Sequence, residues 1–221
     1  MNRPVDRDLE NLRQMALRMG GLSEAILAKA WVAVQERNAD LCAEVQHADL
    51  EIDRMDVAID GAVLRVLALQ APVARDLREV IAIKTMATDL ERVGDLARNI
   101  AKSAQRLSEL PPLPLPPLLE KLAEDSRRLL RKSLDAFVEC DPDAAQRVVD
   151  EDDIVDADEE EVVLRAIGEI REHPELTHQE VDHIFIAKNL ERVADHATNI
   201  AEDVILVAQA KNLKHAAKLR A

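Results

Sequence analysis

Acidic side chains recur at helical spacing in this chain, and they are the residues best placed to do chemistry. Glu91 and Asp95 stand four residues apart, as do Glu191 and Asp195, and Asn99 and Asn199 follow four further on. On a helix each set lines one stripe, with its side chains beside one another. Like charges at this spacing cost a helix roughly 0.2–0.5 kcal/mol, yet the arrangement occurs twice. Asp49 with Asp53, and Asp152 with Asp156, repeat the spacing in preceding segments. Two antiparallel helices bringing such pairs together would supply four carboxylates to one site. Such a cage suits hard, oxygen-preferring cations, Mg, Ca, Mn or Fe, and accommodates Zn. The alternative is a solvated acidic face, because 43 acidic residues among 221 make isolated pairs commonplace. Repetition is what separates these stripes from that background.

The repetition is explicit. Residues 90–101, LERVGDLARNIA, match residues 190–201, LERVADHATNIA, at nine of twelve positions with an offset of one hundred residues. Apolar positions would recur in any two amphipathic helices; shared Glu, Arg, Asp and Asn point to internal duplication. Arg92 and Arg192 are read as ion-pair partners of these acids rather than phosphate ligands. Glu-x-x-His, the pattern of di-iron bundles, occurs at Glu44/His47, Glu175/His178 and Glu180/His183. It does not assemble into such a site here: Glu180 falls in a capping-box sequence, Thr177-His-Gln-Glu180, and Glu175/His178 spans a turn. No Walker or Rossmann glycine pattern is present.

The elements that must hold these residues are long helices. Leu9, Leu12, Ala16, Met19, Ser23, Ile26, Ala30 and Ala33 step by three and four, an apolar seam of helical period. Gly20-Gly21 within it marks a bend or a close helix contact. Asn38-Ala-Asp40 caps a second helix over about 40–69, and Pro72 is read as opening a third at its first turn. That third helix runs to about 109, with a seam of small residues, Ala87, Gly94, Ala97, Ala101 and Ala104, that permits close backbone approach. The run PPLPLPP at 111–117 cannot stay helical and is stiff and extended. Beyond it the plan repeats: a helix over about 118–139, a cap and N1 proline at Asp141-Pro142, a stop near His173-Pro174, and a last helix to about 212. The predicted organisation is therefore all-α: a first three-helix bundle over 1–110, a linker over 111–117, and a second three-helix bundle over 118–221.

Composition agrees and excludes other classes. Apolar residues reach 48% but aromatics only 1%, and five glycines are too few for a fold built on tight turns. A formal net charge of -14 argues against nucleic acid, whose phosphates need Lys and Arg clusters, and against docking on anionic lipid. Without a signal-peptide pattern or an apolar run of about 20 residues, the expected setting is cytoplasmic, with no insertion into the membrane. Cys42 and Cys140 show no metal or disulfide spacing.

The collected motifs resemble the PhoU family. The resemblance rests on Leu90–Asp95 and Leu190–Asp195, on MDVAID at 55–60, and on QAPVARDLR at 70–78, and it covers nearly the whole chain. It implies two three-helix bundles side by side, often as a homodimer, with metal clusters of iron, zinc, manganese or magnesium held by the acidic motifs. It also implies a non-enzymatic role, coupling the ATPase subunit of a phosphate ABC transporter to a phosphate-sensing histidine kinase. Such a protein represses phosphate-starvation genes and restrains uptake when phosphate is plentiful. Asn189, where the first copy has Asp89, is a departure that sets the two sites apart. Two other classes remain at this level: a metalloenzyme using the same acids, and a purely structural helical interaction protein.

Overall fold

The structure, a computed structural model, describes residues 3–213; the outermost ends of both expected bundles, 1–2 and 214–221, lie outside the described residues. Within residues 3–213, six α-helices follow one another: α1 (Pro4–Glu36), α2 (Ala39–Gln70), α3 (Ala74–Glu109), α4 (Pro117–Glu139), α5 (Pro142–Glu172) and α6 (Thr177–Gln209). Among the described residues there is no strand. The first three helices pack together, as do the last three, and α3 lies against α6 between the two groups. The architecture is two three-helix bundles in tandem, as the duplication implies.

Each half turns its first corner in the same way. α1 ends on Arg37 in the left-handed conformation (φ 54°) and α4 on Cys140 (φ 51°). The next residue's N–H returns to a carbonyl five back, Asn38 to Ala33 at 3.1 Å and Asp141 to Ala136 at 3.0 Å, so the last turn's carbonyls are satisfied. Asn38 and Asp141 then cap α2 and α5, each side chain accepting the second and third N–H groups that follow it. These short-range devices reset the chain direction within two residues.

The second corners differ from the sequence-based expectation. Pro72 does not open α3: Ala71 is left-handed (φ 43°), Val73 is the extended N-cap, and Ala74 has φ 50°. Pro72 biases the residue before it away from the right-handed helical region, so it stops α2, and helix resumes two residues later. The expected capping box at Thr177 does not form either. Its hydroxyl donates to the Pro174 carbonyl at 2.6 Å, and Glu180 turns inward. The last helix ends at Gln209, not 212.

Small residues set the closest approaches. A Cβ added at Gly20 would lie 2.9 Å from Leu134 Cδ2 in α4, so this glycine seats α1 against the second half; Gly21 faces open space. A groove of about 840 Å³ runs between α1 and α4, with Trp31, itself 5% exposed, on its wall. α3 and α6 run antiparallel, joined by the polar pairs Thr85–Asp203, Asn199–Asp89 and Arg106–Asp182. Their facing surfaces are Ala, Leu, Val and Ile, including fully buried Leu90, Ala97, Leu190 and Ala197. Each large aliphatic buried this way contributes roughly 1.5–3 kcal/mol, whereas the polar pairs mainly fix register.

Candidate metal centre

Asp49 and Asp152 occupy the same place, the eleventh residue of α2 and of α5. α2 lies against α3 and α5 against α6, so the antiparallel juxtaposition expected for the acidic stripes is present in both halves. The second half brings its acids together. One carboxylate oxygen each from Asp152, Asp156 and Asp195 lies within 4.8 Å of the others. Glu191, one turn before Asp195, has its carboxyl pushed up to about 7, first by burial and then by the charges of Asp195, Asp156 and Glu159. Asp152 is pushed up to about 6, first by burial and then by Asp156 and Asp195. Asp156 and Asp195 are also raised, chiefly by burial. Like charges and desolvation both favour the protonated form; a cation placed among these oxygens would reverse that preference.

The first half uses the same acids differently. Asp49 is 1% exposed, and its Oδ2 accepts from Arg98 Nη1 at 2.5 Å; Arg98 Nη2 reaches Asp95 Oδ1, also at 2.5 Å. One guanidinium thus bridges α2 and α3 through two of the expected ligands. Arg92 lies 3.4 Å from Glu91 and 3.3 Å from Asp95, the structural ion pair expected of it. Asp53 adds its charge to Glu91 and Asp49. Glu91 and Asp49 are both shifted upward, chiefly by burial, with Arg92 and Arg98 respectively opposing.

Of the three mismatches in the twelve-residue repeat, two bear on these contacts and the third on the junction between the halves. Gly94 admits Asp49: an added Cβ would lie 2.7 Å from Asp49 Oδ1 and 3.1 Å from Ile52 Cδ1. Its counterpart is Ala194, and Asp152 is correspondingly less buried than Asp49. Arg98 is replaced by Thr198, whose hydroxyl stands beside Asp152 without completing a hydrogen bond. Leu96 is replaced by His196, whose Nδ1 lies 2.8 Å from Asp89 Oδ1 across the α3–α6 interface. Asp89 therefore serves the junction of the halves, and Asn189 donates to the Phe185 carbonyl at 2.6 Å. The Asp89/Asn189 difference lies outside the stripe. What distinguishes the sites is 94/194 and 98/198, a signal present in the repeat at its mismatched positions.

The remaining acids and histidines fall elsewhere. Asp56 and Asp60 share Lys84, Asp158 pairs with Lys121, and Glu44 with Lys29. Glu180 and His183 are both buried, 3.3 Å apart, and burial pushes the imidazole down. The second half fits a hard cation by two observations: three convergent oxygens from two helices, and Asp152 Oδ1, buried and without a hydrogen-bond partner.

The paired three-helix fold with its duplicated carboxylate stripes has known relatives. The family model described as the PhoU domain matches residues 16–104 and again 119–204; the chain belongs to the PhoU family. It is 36% identical to the phosphate-specific transport system accessory protein PhoU homolog of Zymomonas mobilis over 94% of this chain and 88% of that one. It is 32% identical to the phosphate-specific transport system accessory protein PhoU of Escherichia coli over 94% and 86%. The crystal structure of PhoU from Pseudomonas aeruginosa superposes with a TM-score of 0.90 at 32% identity, covering 93% of this chain and 99% of that one.

Proposed function

We propose that this protein is an accessory regulator of phosphate transport. It couples a phosphate ABC transporter, through its ATPase subunit, to a phosphate-sensing histidine kinase, and holds phosphate-starvation genes repressed and uptake restrained when phosphate is plentiful. The observation that carries this reading is the match in both halves, over 94% of the chain, to proteins named for that transport system. No helix among the described residues is long and apolar enough to cross a membrane, which suits an accessory protein acting from the cytoplasmic side, as a homodimer. Its role is regulatory rather than enzymatic.

Of the two acidic stripes, that of the second half is proposed as a cation site, with iron, zinc, manganese or magnesium as candidates. In the second half Asp152, Asp156 and Asp195 would hold the ion and Glu191 would adjoin it. Glu91, Asp95, Asp49 and Asp53 are the duplicate set. A bound cation would supply positive charge on an otherwise repulsive surface. This chain's own residues then orient the carboxylates, through two rigid helices, and raise their affinity for positive charge by holding them close together. Phosphate sensing must come through partners or through that cation, because clustered carboxylates repel an anion and salt screens the repulsion over about 10 Å without reversing it.

Deletion of the gene, followed by a phosphatase reporter in high phosphate, tests the assignment: derepression is expected, and normal repression would overturn it. Calorimetry on the metal-free protein should show no phosphate binding.

A further inference from the structure

The first carboxylate site contains a positive group of its own. Arg98 reaches across from α3 and binds Asp49 and Asp95 together. These acids correspond in position to Asp152 and Asp195, two of the three convergent carboxylates of the second half. Gly94 favours the arrangement, because an added Cβ would lie 2.7 Å from Asp49 Oδ1 and force it to shift. The guanidinium presents two donors in a fixed fork, so it satisfies one oxygen of each acid and neutralises part of their charge. Asp49 nevertheless keeps Oδ1 buried and without a partner, at 1% exposure. The guanidinium therefore leaves one carboxylate oxygen of Asp49 unsatisfied, an acceptor that a cation in its place could use.

We infer that Arg98 is the resident cation of the first site, so that the two duplicated stripes are not two metal centres: the second half takes up metal and the first is closed by its own arginine. The inference rests on the reading of the second half as a cation site for its comparison, but its central claim concerns the first half alone. Removing the guanidinium and leaving a threonine, as the second half does naturally, should convert the closed site into an open one.

The test uses the full chain, stripped of metal and dialysed against Mn²⁺, with bound manganese measured by elemental analysis and by electron paramagnetic resonance. In the otherwise unaltered protein, E91Q/D95N should leave manganese content unchanged, whereas D156N/D195N should remove it. R98T should gain manganese relative to the parent, and adding D95N should abolish the gain. R98K, which keeps a positive charge, should gain none. Loss of manganese in E91Q/D95N would overturn the inference, as would an R98T protein that is folded and gains nothing. If R98T fails to fold, R98Q is read in its place: a folded R98Q protein that gains no manganese would overturn the inference, and loss of manganese in E91Q/D95N remains decisive. Should the parent bind no manganese while R98T does, the reading of the second half is overturned and the claim that Arg98 closes the first site stands.

Discussion

The two halves place one acidic motif in two different electrostatic settings. In the first, Asp49 is driven to 1% exposure and held by Arg98. In the second, Asp152 is less buried and faces Asp156 and Asp195, with no guanidinium bridging them among the described residues; Arg192 acts on Asp195 only at longer range. Nine of twelve residues agree between the repeats, yet two of the three that differ decide whether the acids are compensated from within. Identical carboxylates do not make identical sites: a carboxylate's chemistry is set by which positive group reaches it first.

The largest break in this comparison should come from Arg98→Thr measured without metal. It leaves Asp49 buried without its ion pair, a change that costs 3–5 kcal/mol for fully buried pairs. Arg98 is about one-third exposed, so we expect about 2–3 kcal/mol, or a fall in Tm of about 4–12 °C at this chain length. Asp49→Asn in the same chain should recover most of that loss. Thr198→Arg in the second half should cost far less. A double-mutant cycle showing no coupling between positions 49 and 98 would remove the ion pair from the account.

Next in size is Gly94→Ala. The added methyl meets Asp49 Oδ1 at 2.7 Å and Ile52 at 3.1 Å, and overpacking of this kind costs about 1–3 kcal/mol, outweighing the helix-propensity gain of about 1 kcal/mol. Gly21→Ala meets nothing within 4 Å and should stabilise by about that same 1 kcal/mol. Thermal unfolding of the two variants should therefore move in opposite directions.

A smaller effect sharpens the contrast through pH. In the folded metal-free protein Asp152 is raised from 3.8 to about 6 and Glu191 from 4.5 to about 7. Between pH 4 and 7 the folded chain therefore binds more protons than the unfolded one, and stability falls as pH rises through that window. Both groups are partly solvated, so screening leaves about 1 kcal/mol of the effect, or about 2–4 °C in Tm. Asp152→Asn with Glu191→Gln should flatten that contribution to the pH profile, and Mn²⁺ should restore stability at the high-pH end. A profile unchanged by the double variant would show that the second-half acids are not compressed as described.

The fold was legible because its determinants are local and redundant. The proline run, the repeated LERV segment and the caps at Asn38 and Asp141-Pro142 each fix an element without reference to tertiary contacts. The α2–α3 corner was not, because Pro72 reads equally as a helix opener and a helix stopper, and left-handed Ala71 and Ala74 leave no glycine to signal them. Thr177 misled for a related reason. Its capping sequence is intact, but burial of Glu180 against His183 outcompetes the cap. In the site, spacing located the acids. It could not show that Arg98 reaches across two of them, since an arginine seven residues after Glu91 has many possible partners until α2 is laid beside α3.

Trp31 gives the molecule an optical property that follows from its position. The chain has one tryptophan and no tyrosine, and that indole is nearly buried where α1 meets α4. Near-ultraviolet absorbance and emission therefore come largely from a single point on the seam between the bundles. A red shift there without loss of far-ultraviolet ellipticity would report the halves parting while their helices stay intact. The native chromophore can thus distinguish undocking from unfolding when a metal, a partner subunit or a changed residue is introduced.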